Sequence, residues 1–363
     1  MFCLVVAFAF STVLAEDKID IAAIYSITGA AAADNAPSVQ GVRYAADDIN
    51  RQGGILGKRI KLMIIDNLST PIGAFAAAEK AAKANVTAIV GPAWSSHAIA
   101  AARSAQANGI PMISDFATNP EVTKLGNYIF RICFTDTFQG SVLARFARQD
   151  LKASSAVIFT DIASDYSIGL SEIFKKNFEQ SGGEILLELE YKHKDTRFDK
   201  HIDTIKSVDS DIVFLSGHDE SGLIAKMLQE AGIPSVPIGG DGWETASFWA
   251  KGGRDLKKGY YCSHWSKHSD SDISRSFVNK YQHVDNFGVS TALGYDVVMV
   301  LGDAIRRAGS TDKAKIRDAL AQTRSYKGIT GTITFNEQGD PVKSAVIMEI
   351  TNGKPRYLMT LEP

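Results

Sequence analysis

Residues 86–100, VTAIVGPAWSSHAIA, hold the pattern that decides the fold class. The first five residues are rich in β-branched side chains and favour a buried strand. A Gly-Pro pair follows as a turn, and two serines then precede an alanine-rich segment with helical spacing. A strand that leads through a short turn into a helix is the repeating unit of α/β proteins.

The same alternation continues along the chain from residue 19. Predicted strands include IDIAAIYSIT (19–28) and DIVFLSG (211–217), and predicted helices include Val39–Asn50 and Ser95–Ala107. Several of the strands are continuous apolar runs, which are typical of a parallel sheet with helices on both faces. We therefore predict a doubly wound α/β architecture.

The number of strand–helix units is too large for one compact sheet, and three breaks interrupt their succession. They fall near residues 130–137, 259–265 and 326–335. Three crossings between two sheets would produce two interleaved lobes rather than two sequential domains.

Length and charge limit the possible functions. The 363 residues are enough for two domains, and 45% of them are hydrophobic, as in globular proteins. The formal net charge is only −2, with basic residues scattered along the chain. This distribution argues against a nucleic-acid partner.

The first 15 residues, MFCLVVAFAFSTVLA, resemble a signal peptide. The apolar run is shorter than the roughly 20 residues that span a bilayer, and it ends at a small-residue cleavage site. No Lys or Arg precedes Lys18, so the usual basic start is missing, and a buried first strand or helix is the alternative. We expect an exported mature chain that begins near Glu16.

Cleavage would leave two cysteines, Cys133 and Cys262. In an exported protein they could form a disulfide, but two buried free thiols are equally compatible with the sequence. The sequence leaves this choice open.

Two segments resemble a phosphate-binding loop and a metal site, but neither matches the full motif. The segment GGILGK (53–58) lacks the phosphate-loop pattern, because Gln52 and Arg59 replace the required Gly and Ser or Thr. His264 and His268 are four residues apart, but no Glu follows His264 and no further ligand completes a metal set. We therefore predict neither a nucleotide site nor a metal site.

Ser95 lies where the predicted strand becomes a helix, and three roles were considered for it. A nucleophile elbow would need flanking glycines, which are missing, and His97 would point away from Ser95 on a helix. A helix cap and an anion ligand remain, since the N–H groups at a helix start favour negative charge. The two roles are compatible with each other.

Seven segments in a fixed order carry a family resemblance. They are INRQGGILGKRIKLMIID (49–66), GPAWSSHAIAAA (91–102), GIPMISDFATNPEVT (109–123), YIFRICFTDTFQG (128–140), SDYSIGL (164–170), GGDGW (239–243) and YKGITGTITFNEQGD (326–340). Together they resemble the type I periplasmic solute-binding proteins of the leucine/isoleucine/valine-binding class. The resemblance extends from about Lys18 to the C-terminus.

This resemblance implies two lobes joined by three hinge crossovers, with a ligand held in the cleft. Lobe 1 would comprise residues 16–133 and 264–327, and lobe 2 residues 134–263 and 328–363. The resemblance implies no catalysis and no cofactor. A monomer in the periplasm, or otherwise outside the cytoplasm, would capture an amino acid for the permease and ATPase subunits of an ABC importer.

Matching positions imply the site residues. The resemblance assigns the ligand carboxylate to Ser95, both the carboxylate and the ammonium to Thr118, and the ammonium to Tyr166 and Asp241. It assigns further main-chain contacts with the ligand head group to Phe116 and Ala117. It leaves Trp94, His218 and Trp243 as cleft-lining side chains or as ordinary aromatic packing.

The ligand side chain is less determined. Phe116 adds bulk where many relatives carry a small residue, and His218 replaces an aromatic residue of some amino-acid binders. The loop ITGAAAADN (27–35) is rich in alanine, and from this we expect few polar contacts and a compact apolar ligand such as a branched-chain amino acid. The alternatives are a ligand-sensing receptor of the same fold, or a binder of an amide, urea or a small aromatic acid.

Overall fold

The computed structural model describes residues 18–285 and 287–363. The predicted signal peptide lies outside these residues. In the described part of the chain, no helix combines the length and the apolar character needed to cross a membrane.

The first lobe is built on a five-stranded parallel sheet in the order β2-β1-β3-β4-β5. Its strands are β1 (Lys18–Tyr25), β2 (Arg59–Asp66), β3 (Ala88–Val90), β4 (Met112–Ser114) and β5 (Ile129–Arg131). Strand β3 is the apolar run of the opening stretch, and all three of its residues are buried. The helices α1 (Ala32–Arg51), α2 (Pro71–Lys83) and α3 (Ser95–Ala107) connect the strands.

The second lobe contains a seven-stranded sheet in the order β14-β13-β10-β9-β8-β6-β7. Its strands are β6 (Ser155–Asp161), β7 (Glu184–Tyr191), β8 (Ile212–Leu215), β9 (Val236–Gly239), β10 (Lys258–Ser263), β13 (Ala345–Thr351) and β14 (Lys354–Leu361). Its helices are α4 (Asp136–Gln149), α5 (Asp165–Gln180), α6 (Asp199–Ile205), α7 (Asp219–Glu230) and α8 (Ala246–Lys251).

This second sheet is not wholly parallel. Strand β13 runs antiparallel to both β10 and β14. A hairpin of this kind needs only a tight turn, and Asn352 and Gly353 supply one with positive φ angles. The remaining five strands are parallel, as predicted.

The chain passes between the lobes three times. It enters the second lobe between β5 and α4, and it returns after β10 to form α9 (Asp272–Tyr281), α10 (Val289–Ala308) and α11 (Lys313–Ala321). Helix α10 packs against α1 of the first lobe. After the hairpin of β11 (Tyr326–Gly328) and β12 (Gly331–Ile333), the chain crosses again to β13.

The prediction of two interleaved lobes with three crossovers is therefore confirmed. Ile333 and Phe335 pack in the core of the first lobe. The residue numbers predicted for the lobe boundaries stay predictions.

Buried charged side chains join the first and third crossovers. The Arg131 guanidinium, which has no exposed surface, donates to Asp340 at 2.6 Å and to the Ala117 carbonyl at 2.7 Å. The Lys343 ammonium donates to the Ile132 carbonyl at 3.2 Å. These bonds link the crossovers to the loop that follows β4.

The two cysteines do not pair. Cys133 and Cys262 are free thiols, and both are buried. Burial raises the pKa of each thiol well above its usual range, which keeps both in the neutral form. Of the two possibilities that the sequence leaves open, the structure has the buried thiols.

Candidate functional site

A pocket lies between the two lobes, and side chains of both line it. The first lobe contributes Asp34, Asn35, Ser38, Ala93, Trp94, Ser95, Phe116, Thr118 and Ser290, and the second contributes Tyr166, His218, Asp241, Gly242 and Thr245. The carboxyl ends of parallel strands and the starts of the helices that follow them are the usual position of such a site in α/β folds.

Ser95 is the first residue of α3, and the prediction that its side chain caps the helix is wrong. Trp94, in an extended conformation, occupies the cap position without a side-chain hydrogen bond. The Ser95 hydroxyl instead accepts a hydrogen bond from the Asn119 N–H at 3.2 Å. The hydroxyl is thereby held next to the first turn of α3, where N–H groups have no acceptor within the helix.

The loop after β4 carries Phe116, Ala117 and Thr118. Thr118 lines the pocket and is completely buried, and its carbonyl accepts from the Asp136 N–H at 2.9 Å. Phe116 also lines the pocket.

Ala117, for which the resemblance implies a main-chain contact with the ligand, is not among the residues that line the pocket. Its carbonyl accepts from Arg131, and its N–H donates to the Ser114 hydroxyl at 3.1 Å. Both of its main-chain groups therefore take part in holding the loop itself.

Tyr166 lies in the first turn of α5, where Ser164 caps the helix. Its hydroxyl accepts from the Gly242 N–H at 3.0 Å, which holds the ring against the segment that carries Asp241. Burial, followed by the nearby Asp241 carboxylate, raises the pKa of Tyr166 well above its usual range. The hydroxyl therefore remains neutral and keeps its proton for donation.

Asp241 follows β9 and is 1% exposed. One of its carboxylate oxygens, Oδ2, lies 2.9 Å from Nε2 of His264, and its main-chain N–H donates to the Gln139 side chain at 2.7 Å. The other oxygen, Oδ1, has no hydrogen-bond partner among the described residues. The carboxylate is thus held in place while one oxygen stays free for a ligand.

His264 is a site residue that sequence reasoning missed. Its side chain is completely buried, and burial lowers its pKa against the opposing effect of Asp241. The imidazole is therefore neutral and donates its Nε2 proton to Asp241. The two residues are 23 positions apart, and no sequence pattern connects them. The sequence suggests a role for His264 only as a metal ligand together with His268.

Trp94 and His218 meet across the cleft. Their rings are stacked with centroids 4.6 Å apart, and His97 stacks on Trp94 at 5.6 Å. Both predicted residues therefore line the pocket.

Trp243 does not line the pocket; of the two roles that the sequence leaves open for it, the structure has aromatic packing. It has no exposed surface, stacks on Phe248 and donates from its indole nitrogen to the Leu215 carbonyl at 3.2 Å. It belongs to the core of the second lobe. A large aromatic ring gains more from full burial there than at a cleft edge.

The first turns of α1 contribute polar side chains that were not predicted. Asp34 accepts two hydrogen bonds from Ser247 of the second lobe, at 3.0 Å from the N–H and 2.7 Å from the hydroxyl. Asn35 and Ser38 line the same pocket. The expectation of few polar contacts from this segment is wrong, although the spacing of Asp34, Asn35 and Ser38 by three and four residues indicates a common helix face.

Two other bonds join the lobes beside the pocket. The Asn119 side chain donates to the Asp165 carbonyl at 2.6 Å, and the Asp165 N–H donates to the Ser96 hydroxyl at 3.2 Å. Together with the bonds of Asp34, they define a structure in which the lobes are closed on the pocket.

Comparisons with known proteins place this architecture in a family. A family model described as periplasmic binding protein matches residues 18–355. The chain is 30% identical over 341 residues to the Leu/Ile/Val-binding protein BraC3 of Rhizobium johnstonii, covering 93% of this chain and 92% of the relative.

Solved structures of binding proteins support the same family assignment. The leucine-binding protein LivK of Thermotoga maritima has a TM-score of 0.90 at 32% identity, with 95% of this chain and 99% of that one covered. LivJ of Streptococcus pneumoniae, a branched-chain amino acid transporter substrate-binding protein in complex with isoleucine, has a TM-score of 0.89 at 31% identity, with 96% and 100% covered. The chain belongs to the periplasmic binding protein family, as its motifs predicted.

Proposed function

We propose that this protein is the extracytoplasmic solute-binding protein of an ABC importer and that it captures a small amino acid between its lobes. The main support for this proposal is the chemistry of the closed pocket, which has hydroxyl and helix N–H groups on its first-lobe side and a buried carboxylate on its second-lobe side. This arrangement complements the two opposite charges of an amino-acid head group.

The ligand carboxylate would lie at Ser95 and Thr118. The start of α3 offers N–H groups without helical acceptors, and the helix dipole favours negative charge there. Both hydroxyls belong to buried residues that line the pocket. Hydrogen bonds to a carboxylate are stronger than bonds between neutral groups, which suits a recognition step.

The ligand ammonium would lie between Asp241 and Tyr166. The free Oδ1 of Asp241 provides the opposite charge that a buried ammonium requires. The Tyr166 ring lies in the same pocket and can interact with the cation through its face. The Asp241 carboxylate is already oriented by His264, so less ordering is needed when a ligand binds.

The relatives support an amino acid with a small or branched side chain, because their names specify leucine, isoleucine and valine. Phe116, Trp94 and His218 border the part of the pocket that remains beyond the head group. Delivery to permease and ATPase subunits, location outside the cytoplasm and a monomeric state belong to the same proposal.

We propose that the protein binds its ligand without catalysing a reaction. The Ser95 hydroxyl accepts from a main-chain N–H, and the His97 ring lies against Trp94 and at 3.4 Å from the Asn67 amide. Neither side chain is arranged as a nucleophile with its base.

A binding panel tests the proposal. Leucine, isoleucine, valine and other small amino acids are compared with urea, acetamide and benzoate by thermal unfolding and calorimetric titration. A ligand at about 100 times its Kd stabilises the folded state by about 2.7 kcal/mol, which raises the Tm by several degrees. A shift by urea, acetamide or benzoate with none by any amino acid would overturn it.

A further inference from the structure

We propose that the pocket contains a subsite for a side-chain hydroxyl, so that the captured amino acid is of the threonine type rather than its apolar isostere valine. The inference rests on the proposed function and narrows its ligand class. It is carried by the polar side chains that the first turns of α1 present to the pocket.

The position of this subsite follows from the head-group assignment. Ser95, Thr118, Tyr166 and Asp241 account for the carboxylate and ammonium ends. The lining side chains that remain include Asp34, Asn35, Ser38 and Thr245, all of them polar. These polar side chains share the rest of the lining with Trp94, Phe116 and His218, so a ligand side chain beyond the head group meets polar as well as aromatic groups.

Asn35 provides an unused donor. The residue is 1% exposed, and its Oδ1 accepts from the Ser26 N–H at 3.1 Å. Because only the amide oxygen can accept that proton, the other end of the amide is the NH2 group. This Nδ2 has no hydrogen-bond partner within residues 18–285 and 287–363.

A buried donor without a hydrogen-bond partner destabilises the closed state. A ligand oxygen placed at Nδ2 removes this cost, whereas a methyl group leaves it in place. The pocket therefore favours a ligand whose side chain carries an acceptor atom.

Asp34 adds a hydrogen-bond acceptor. It precedes Asn35 in the sequence and lines the same pocket. Each of its oxygens accepts one hydrogen bond from Ser247, and a carboxylate has room for about four such bonds. A hydroxyl both accepts and donates, so it satisfies Asn35 and Asp34 together. An ether or carbonyl oxygen would serve only the donor.

The decisive experiment is a calorimetric titration of the full chain with L-threonine and L-valine, which have nearly the same shape. We expect threonine to bind at least tenfold more tightly, and serine to bind more tightly than alanine. Valine that binds as well as threonine or better would overturn the inference while leaving the proposed function intact. Absence of binding by every amino acid in the panel would instead overturn the proposed function and the inference with it.

A variant assigns the preference to the Asn35 amide. Asn35→Asp keeps an oxygen for the Ser26 N–H and nearly the same shape, but it removes the donor. We expect the threonine-to-valine affinity ratio to fall to within about threefold of one. The ratio is the readout because a purely structural effect would weaken both ligands alike.

The matched control is Asn127→Asp, an exposed position of the same lobe. We expect it to keep the ratio of the parent protein. A ratio unchanged in Asn35→Asp would show that Asn35 does not read the ligand side chain. If Asn35→Asp does not fold, the comparison of threonine with valine on the parent protein still decides the inference.

Discussion

The two ends of the pocket are built in different ways. At the ammonium end, Asp241 is held by His264 and Gln139, and Tyr166 by the Gly242 N–H, all through bonds within the second lobe and the segment that leaves it. At the side-chain end, Asp34 of the first lobe is bonded to Ser247 of the second. The first set of bonds does not depend on contact between the lobes, whereas the second set requires it.

This difference separates two tasks. The ammonium half of the head-group site is preset inside one lobe, so it needs little ordering when any amino acid binds. The side-chain site, in contrast, is complete only when the lobes are in contact. A ligand shifts the equilibrium between open and closed lobes only as far as it binds the closed state more tightly than the open one. The population of the closed state therefore depends on which ligand side chain occupies this site.

The largest effect is expected at the preset end. Asp241→Asn leaves a buried ligand ammonium without its opposite charge, which costs about 3 kcal/mol or more, equivalent to at least 100-fold in Kd. Calorimetric titration should show this loss for all amino acids alike, since they share the head group. Asp203→Asn, at an exposed position of the same lobe, should bind as the parent does. A loss for only some amino acids would contradict the assignment of the ammonium.

Acid should destabilise the folded protein through His97, whose ring stacks on the pocket residue Trp94. Burial, followed by His218 and His193 of the second lobe, lowers the pKa of His97 to about 4. The folded state therefore holds His97 neutral, and this stability is present above the ordinary pKa of about 6.5 and lost as the pH falls toward 4. Between pH 7.5 and 4.5 the loss should be about 2 kcal/mol.

Urea unfolding at the two pH values measures this loss, and His97→Gln should remove it. His283→Gln, at an exposed position, should retain the acid sensitivity of the parent. Equal pH dependence of the parent and His97→Gln would show that the folded state does not exclude the charged imidazole.

The smallest effect is expected for the contact between the lobes. Ser247→Ala removes the hydroxyl donor to Asp34 but keeps the main-chain donor. One neutral-to-charged bond of this kind contributes about 1.5 kcal/mol, so affinity should fall about tenfold. Stopped-flow kinetics should assign the change to faster ligand release, since the bond exists only in the closed state. Ser207→Ala, exposed on the same lobe, should leave release unchanged; a change confined to the association rate would count against closure as the cause.

Much of the fold was predictable from local patterns. Buried parallel strands such as β3 are continuous apolar runs, and the helices between them show regular spacing. The antiparallel hairpin of β13 and β14 was not predicted, because only parallel sheets were expected. Asn352–Gly353 between two apolar runs is nevertheless a typical hairpin signal.

The site was less predictable, for a physical reason. Ser95, Thr118, Tyr166 and Asp241 were predicted from the family resemblance of their motifs, and all four line the pocket. Whether Trp243 faces the cleft or the core depends on how the whole lobe packs, and a local pattern contains no such information.

The stacking of Trp94 on His218 gives the protein its own optical signal of domain motion. The chain has four tryptophans, and the other three contact aromatic rings of a single lobe: Trp243 and Trp249 in the second, Trp265 in the first. Among the tryptophan ring contacts within residues 18–285 and 287–363, only contacts of Trp94 reach across the lobes, because His218 belongs to the opposite side. Its intrinsic fluorescence can therefore follow opening and closing in real time without an attached dye.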